Sequence, residues 1–303
     1  MKTNLLFIVC IAVVFYICGC STSKVPEKPS NVAVSQESEK AQTAQSQDAK
    51  ATTEEKPAHK YSAQEVAEML ADPSATITYF NANYRSYRDV GPFDKTNQEL
   101  RLNGAGFLNL KDGSSILYRA FLPLYSFEFP DIPGTDDRGL GDALISAYWV
   151  PKKGSLILGY GGAMMLPTAT EDFFGTGKVS AGPTLVVAKK VPGKYTIGGL
   201  LTHMWSFAGD RDRDEVSMTT IQPAATFFLN KKGTSVAIGS ETTYNWQADK
   251  DRWQIPITLG LNQILPPINK SFVGVGFAGS YYVEKPDTAP EWDVRFTVSI
   301  VFP

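Results

Sequence analysis

The sequence predicts an all-β protein, a transmembrane up-and-down antiparallel β-barrel of about twelve strands that follows one short helix. Three observations carry this prediction. From residue 74 onward, apolar and polar residues alternate with a period of two in one segment after another. Glycine, proline or charged residues separate these segments. The connections between them also differ in length and charge according to their order along the chain.

The whole-chain composition limits the possible functions. The 303 residues are 43% hydrophobic and 20% charged, which excludes a chain that is disordered throughout. A formal net charge of -2 argues against nucleic acid as a partner. Because the chain has only two His, at positions 59 and 203, we expect no metal site, and we expect no cofactor. The three Cys all lie within the first twenty residues, so we predict neither a disulfide scaffold nor an enzyme that uses cysteine.

Residues 1–19 have the pattern of a lipoprotein signal peptide. Lys2 gives a positive start, and the apolar run 5–17 is too short to span a bilayer comfortably. The run ends in Ile17-Cys18-Gly19-Cys20, which resembles the bacterial lipobox. We therefore predict that Cys20 is lipidated and begins the mature protein. An ordinary signal peptide that ends near a cysteine is the alternative.

The next two segments are predicted to be a tether and a helix. Residues 20–60 are almost free of large apolar side chains, so they are predicted to form a disordered tether. Residues 61–73 are predicted to form a short helix, since Ser62 and Glu65 have the spacing of a capping box and Pro73 follows the last apolar position. Residues 74–303 are assigned to the outer-membrane barrel.

Alternation is clearest in the last segment of the chain. From Trp292 to Phe302 the even positions are apolar, whereas positions 293, 295, 297 and 299 are polar. Such alternation over ten residues is typical of strands with one apolar and one polar face. The same reasoning predicts twelve strands, at about 75–87, 97–110, 114–127, 140–150, 155–166, 178–189, 194–207, 216–229, 234–247, 252–264, 271–283 and 291–302.

The connections supply an independent argument. Five short ones contain nine Lys and one Asp, whereas the six between them contain seventeen Asp or Glu against nine Lys or Arg. Alternate connections of an up-and-down barrel lie on opposite sides of the membrane, so two environments explain this sorting. Both chain ends then lie on the short-turn side, predicted to be the periplasm. A soluble β-sandwich, the alternative fold, does not explain the sorting.

Two sets of side chains are candidate functional residues. Tryptophans at the strand ends are predicted to form interfacial aromatic girdles; they are Trp149, Trp205, Trp246, Trp253 and Trp292. Charged and amide side chains on the polar faces are predicted to line the lumen, because a charge that faces lipid is costly; they are Glu99, Arg101, Asn103, Arg119, Glu241, Asp293 and Arg295. These charges either set selectivity or are paired structural ions, and both interpretations stay open. We predict no catalytic residue.

A series of short motifs resembles a family of bacterial outer-membrane barrels. The motifs include Gly139-Leu-Gly-Asp142, Leu166-Pro-Thr-Ala-Thr170, Ala181-Gly-Pro-Thr184, Glu241-Thr-Thr-Tyr-Asn-Trp246, Trp253-Gln-Ile-Pro256 and Pro290-Glu-Trp-Asp-Val-Arg295. The family carries the labels "transporter", "MetA-pathway of phenol degradation, putative" and sometimes "neuromedin U". The resemblance implies an outer-membrane barrel with a transport role, and the label alone suggests an aromatic substrate. The lipobox and the long tether depart from the usual pattern.

The sequence thus predicts a lipid-anchored barrel of the outer membrane of a Gram-negative cell, held on the periplasmic side, that passes small solutes. The predicted partners are outer-membrane lipid, lipopolysaccharide and a small-molecule solute, and the sequence does not predict an oligomeric state. The helix over residues 62–71 is a candidate plug. The alternatives are a structural or adhesive barrel without transport and a soluble periplasmic β-sandwich that binds a ligand.

Overall fold

A computed structural model describes residues 60–72, 75–127, 137–151, 154 and 156–302. The predicted signal peptide, the predicted lipidation site Cys20 and nearly all of the predicted tether lie outside these residues. The first element of the described residues is the helix α1, Ala63–Ala71. Its N-terminus has the predicted capping box, in which the Ser62 hydroxyl accepts from the Glu65 backbone N–H and the Glu65 carboxylate accepts from the Ser62 N–H at 2.8 Å. Within the described part of the chain, no helix is long and apolar enough to cross a bilayer.

In the described residues, all other regular structure is β-sheet, apart from two single 3-10 turns at Gly91–Phe93 and Asp172–Phe174. The strands are β1 Thr78–Val90, β2 Lys95–Asn109, β3 Ser115–Phe127, β4 Arg138–Leu140, β5 Ala143–Val150, β6 Leu156–Leu166, β7 Lys178–Val191, β8 Tyr195–Gly209, β9 Ser217–Phe228, β10 Thr234–Gly239, β11 Thr242–Asn245, β12 Trp253–Ile264, β13 Phe272–Glu284 and β14 Trp292–Phe302.

The strands form one closed antiparallel barrel. Most strands pair with their sequence neighbours, and the sheet closes because β1 pairs with β14 from Thr78↔Phe302 to Arg88↔Trp292. The short strands β4 and β5 both pair with β3, and β10 and β11 both lie between β9 and β12, so each pair fills one position in the wall. The wall therefore has twelve positions, which confirms the predicted fold class and strand number.

Two predicted strands are interrupted in the structure. The predicted strand 140–150 breaks at Gly141 and Asp142, and the predicted strand 234–247 breaks at residues 240 and 241. A proline on the neighbouring strand faces each break: the Pro123 carbonyl accepts from the Gly141 N–H at 2.9 Å, and the Pro223 carbonyl accepts from the Ser240 N–H at 3.0 Å. Because proline has no N–H to donate, the ladder cannot run evenly past either position.

The two faces of the wall have opposite chemistry. Large apolar side chains on the outside remain exposed, as in Leu259 at 61%, Phe277 at 61% and Phe296 at 49%. Side chains on the inside are mostly polar in the half of the barrel nearest the long connections, where Glu99 and Asp293 are each only 1% exposed. Period-two alternation produces this arrangement directly, since neighbouring residues of a strand point to opposite faces.

Helix α1 lies against the inner face at the short-turn end. Val66 and Ala67 are buried in an apolar cluster with Phe228, Ile264 and Val301, which come from β9, β12 and β14. The Glu68 carboxylate fastens the helix to the β7–β8 turn, because it accepts from the Gly193 N–H at 2.8 Å. The helix therefore occupies part of the lumen where the strands are joined by short turns.

Candidate functional site

A network of charged side chains lies inside the barrel and involves four wall positions. It contains three arginines and three carboxylates, all on inward-facing positions. Strands β1, β2 and β14 are neighbours through the closure of the sheet, and Glu241 comes from the break between β10 and β11. The members are Arg85, Glu99, Arg101, Glu241, Asp293 and Arg295.

Pairs on the same or adjacent strands form one side of the network. Arg101 Nε lies 2.6 Å from Glu99 Oε1 on β2, and Arg295 Nη2 lies 3.6 Å from Asp293 Oδ1 on β14. Arg85 on β1 sits between these pairs, with its Nε 4.0 Å from Asp293 Oδ1. Residues two apart on a strand point to the same face, so alternation places each of these pairs together in the lumen.

Glu241 extends the network across the lumen. Its carboxylate oxygens lie 3.5 Å from Arg101 Nη1 and 3.7 Å from Arg85 Nη2. Four wall strands, β12, β13, β14 and β1, separate Glu241 from Arg101 on the shorter way around the barrel, and six wall positions separate them on the other. The two residues therefore face each other almost across the barrel, and their ion pair narrows the lumen at this level.

Hydroxyl and amide groups complete the network. The Tyr87 hydroxyl donates to Glu99 at 2.6 Å and accepts from Arg85 at 3.0 Å. The Tyr282 hydroxyl donates to Asp293 at 3.1 Å, and the Gln222 amide donates to Glu241 at 3.2 Å. Each carboxylate thus has partners besides an arginine, as buried charges require.

The network has equal numbers of positive and negative side chains, but some of its polar atoms make no hydrogen bond. Three guanidinium groups face three carboxylates, so the lumen at this level has no net charge. Among the described residues, Arg85 Nε, Asp293 Oδ1 and Arg295 Nε make no hydrogen bond. Arranged in this way, donors and acceptors on both sides of a narrow passage can replace part of the hydration shell of a polar solute.

The other two lumen candidates of the sequence analysis lie closer to the short-turn end. Asn103 is two residues beyond Arg101 on β2, and its amide donates to Asn81 on β1. Arg119 on β3 pairs in register with Ala105, two residues further along β2. Its guanidinium carbon lies 5.4 Å from the centre of the Tyr148 ring. The structure thus brings five of the seven candidates together and places these two outside the network.

The tryptophans lie on the outer face near strand ends. Trp205, Trp246, Trp253 and Trp292 are at the long-connection end, each 40% to 54% exposed. Trp246 and Trp253 both contact Tyr244, with ring centres 4.7 Å apart in each case. Trp149 is at the other end of the wall, where its Nε1 donates to the Ser114 hydroxyl at 2.9 Å.

The connection between β6 and β7 folds inward over the mouth at the long-connection end. Phe174 is 5% exposed and stacks on the inward-facing ring of Tyr125, with ring centres 5.6 Å apart. The Asp142 carboxylate accepts from the Thr176 N–H at 2.7 Å and from the Ala169 N–H at 3.3 Å. A Cβ at Gly175 would lie 2.4 Å from Asp142 Oδ1, so this close approach requires glycine.

A second connection holds the first in place. The Arg213 guanidinium, between β8 and β9, donates to the backbone carbonyls of Asp172, Gly175 and Thr176. Lys178, at the start of β7, is 4% exposed and donates to the Glu215 carboxylate at 2.8 Å. That hydrogen bond, together with one from the Ser206 hydroxyl, lowers the pKa of Glu215 below its ordinary value of 4.5.

Sequence reasoning missed four members of the site, which are Arg85, Tyr87, Gln222 and Tyr282. Arg85 alternates with apolar residues of β1 just as the selected residues do on β2. That alternation is the signal that identifies Arg85. The role of the two tyrosines depends on the positions of their hydroxyl groups in the lumen, which alternation along a strand does not predict. Among the described residues, no group of three or more His, Cys, Asp or Glu is placed to hold a metal ion.

Comparisons with known proteins bear on the fold. No protein-family model matches the sequence, and no curated protein matches it. Among solved structures, an outer membrane channel from Pseudomonas putida F1 aligns with a TM-score of 0.59 at 17% identity, over 75% of this chain and 95% of that one. The NanC porin aligns with a TM-score of 0.48 at 10% identity, over 75% of this chain and 99% of that one. The first of these likenesses confirms the barrel fold.

Proposed function

We propose that this chain is an outer-membrane β-barrel that conducts small solutes through a narrow, ion-paired lumen. The observation that carries the proposal is the inverted distribution of its side chains. Exposed apolar residues surround the barrel, and paired charged residues lie inside it at the level of the network. A barrel in water would expose polar residues and bury apolar ones, whereas a barrel in lipid requires the arrangement seen here.

The shared fold supports a place in the outer membrane. The aligned structure from Pseudomonas putida F1 is described as an outer membrane channel. In such barrels aromatic side chains mark the interfaces, and the outward tryptophans at both ends of this wall fit that role. Outer-membrane lipid and lipopolysaccharide are then the partners of the outer face and of the long connections.

Two features make the proposed path restrictive. The ion pair between Glu241 and Arg101 crosses the lumen, and α1 fills part of the short-turn end. Side chains fill barrels of eight strands, and barrels of sixteen leave an open aqueous pore, so a twelve-stranded lumen lies between these cases. A small solute would exchange hydration water for the polar atoms of the network as it passes.

The anchor and the substrate class are further parts of the proposal. The lipobox at Cys20 supports lipid attachment, and the tether would join the barrel at the end where α1 lies. That end would face the periplasm, because lipid-linked residues and short turns belong on that side. The family resemblance suggests an aromatic solute, and the inward rings of Tyr125, Phe174 and Tyr148 are compatible with one.

Solute flux into liposomes tests the proposal. We expect liposomes that contain the purified full chain to swell in isotonic solutions of small charged and neutral solutes faster than liposomes without protein. A folded, inserted barrel that passes no solute would favour the structural or adhesive alternative. A protein that remains soluble without detergent after Cys20→Ala substitution would favour the soluble alternative, which predicts no insertion.

A further inference from the structure

A cavity lies between helix α1 and the barrel wall, below the ionic network. Its volume is about 150 Å³. Met69 and Leu70 of α1 line one side, and Ile77, Leu117 and Tyr148 line the other. Most of the lining residues are apolar or aromatic, and the cavity is also lined by Arg119 and Asp72.

Arg119 differs from the other inward-facing arginines. Arg85, Arg101 and Arg295 each form at least one ion pair with a carboxylate. Arg119 forms none with any carboxylate of the described residues, and its contact is with the face of the Tyr148 ring. A guanidinium on an aromatic ring still presents its N–H edge, which suits the two oxygens of a carboxylate.

The size of the cavity limits what it can bind. An apolar cavity of about 150 Å³ in another protein holds one benzene ring, and drug-sized ligands need about 300 Å³ or more. This cavity therefore accommodates a single six-membered ring with a small substituent. A guanidinium that has no carboxylate partner among the described residues favours an anionic substituent, because its hydrogen bonds to a carboxylate are charge-assisted and stronger than those to a neutral group.

The cavity also lies on the proposed path. Arg119 pairs in register with Ala105, which is four residues from Arg101 on β2. At ~3.3 Å per residue this is a separation of about 13 Å along the strand. A solute that passes the ionic network would therefore meet the cavity before it reaches the far side of α1.

We propose that this cavity binds a small ring monocarboxylate, with the ring between α1 and the wall and the carboxylate on Arg119. The inference rests on the proposed function only in that the bound anion would be a transported solute. Binding of the monocarboxylate can be measured in detergent, where no solute crosses a membrane. This inference can therefore fail while the proposed transport holds, and the proposed transport can fail while this inference holds. Asp72 also lines the cavity, and its carboxylate opposes an anion there.

Ligand-observed NMR with benzoate tests this inference on the full chain in detergent micelles. We expect saturable binding of benzoate and at least tenfold weaker binding of neutral benzamide. The Arg119→Gln variant should lose at least about tenfold in affinity, as expected when a charged hydrogen bond is removed. The Arg211→Gln variant removes an exposed arginine of a connection and should bind as the parent protein does.

Two more variants keep the test decisive if Arg119→Gln does not fold. Asp72→Asn removes the opposing charge and should strengthen benzoate binding. Ala105→Phe fills the space beside Arg119 and should abolish binding while the arginine remains. Circular dichroism and heat-dependent gel mobility verify folding. No saturable binding by the parent protein would overturn the inference, as would equal affinity in Arg119→Gln or in both Asp72→Asn and Ala105→Phe.

Discussion

Glu99 and Asp293 are the most deeply buried charges of the barrel, and they show why the network must be complete. Both carboxylates have side chains that are 0% exposed. Each accepts from a tyrosine hydroxyl and lies beside an arginine, which offsets the cost of removing a charge from water. A network of this kind fixes side-chain positions in the lumen, so single charges in it should control ion passage.

Neutralising one member at a time should change ion selectivity in opposite directions. Glu241→Gln leaves a net positive lumen, and Arg101→Gln leaves a net negative one. We expect the cation-to-anion permeability ratio to fall about fivefold in the first and rise about fivefold in the second, since unit charges 4 Å apart interact by about 1 kcal/mol in water. Reversal potentials in a KCl gradient measure this ratio.

The control for that experiment is Asp249→Asn, which makes the same charge change as Glu241→Gln but in an exposed connection. It should leave the reversal potential unchanged. A shift of the same sign in Glu241→Gln and Arg101→Gln would show that the network does not control selectivity.

The ion pair between Lys178 and Glu215 should make one connection sensitive to acid. The pKa of Glu215 is lower in the folded protein than its ordinary value of 4.5. The stabilisation is therefore fully present above pH 4.5 and is lost as the pH falls through the lowered pKa. Amide hydrogen exchange of residues 206–217, corrected for intrinsic rates, should accelerate in that range. The Glu215→Gln variant should show no such pH response, and an identical response in both proteins would refute the assignment.

At the residue scale, sequence reasoning identified the faces but not the partners. Alternation placed Glu99, Arg101 and Arg295 on the inner face because a strand has only two faces. The ion pair of Glu241 with Arg101 depends on how the strands stagger around the barrel, which a single sequence does not give. Arg119 illustrates the same limit, since no pattern shows which arginine lacks a carboxylate partner.

At the scale of elements, the strands carry large apolar side chains that remain exposed on the outer face of the wall. Leu259 lies near the middle of β12 and is 61% exposed, with Ile238 and Gly279 as its cross-strand neighbours. Surface leucines are common in soluble proteins, but a continuous belt of them is not. The strand breaks at Gly141 and Ser240 were not predicted, although the prolines opposite them are visible in the sequence.

Placing a charge on this belt should distinguish a lipid environment from water. Leu259→Arg should lower the free energy of unfolding in liposomes by about 2–4 kcal/mol, the cost of arginine on the lipid face near mid-membrane. The same change on the surface of a soluble barrel would cost within about 0.5 kcal/mol. Guanidinium unfolding of the liposome-inserted protein, followed by tryptophan fluorescence, gives the value. Gln247→Arg, in an exposed connection, is the matched control and should have almost no effect.

At the scale of the whole molecule, the sorting of charge between alternate connections was enough to predict closure. Short basic turns and long acidic connections lie at opposite ends of the barrel, as two different environments require. The helix was also visible in advance, because its capping box is a local signal. Its position inside the wall was not, since burial of Val66 against β9, β12 and β14 involves contacts between residues far apart in the chain.

The central claim is that solutes cross this barrel through a lumen that the ionic network and α1 restrict. Single-channel recording in planar lipid bilayers tests it most directly, with the full chain beside a variant that lacks residues 61–73. The account predicts discrete, ohmic steps of small conductance for the full chain and larger steps for the variant. Folded, inserted protein that is silent in both forms would contradict it, and equal conductance in the two forms would exclude α1 as a plug.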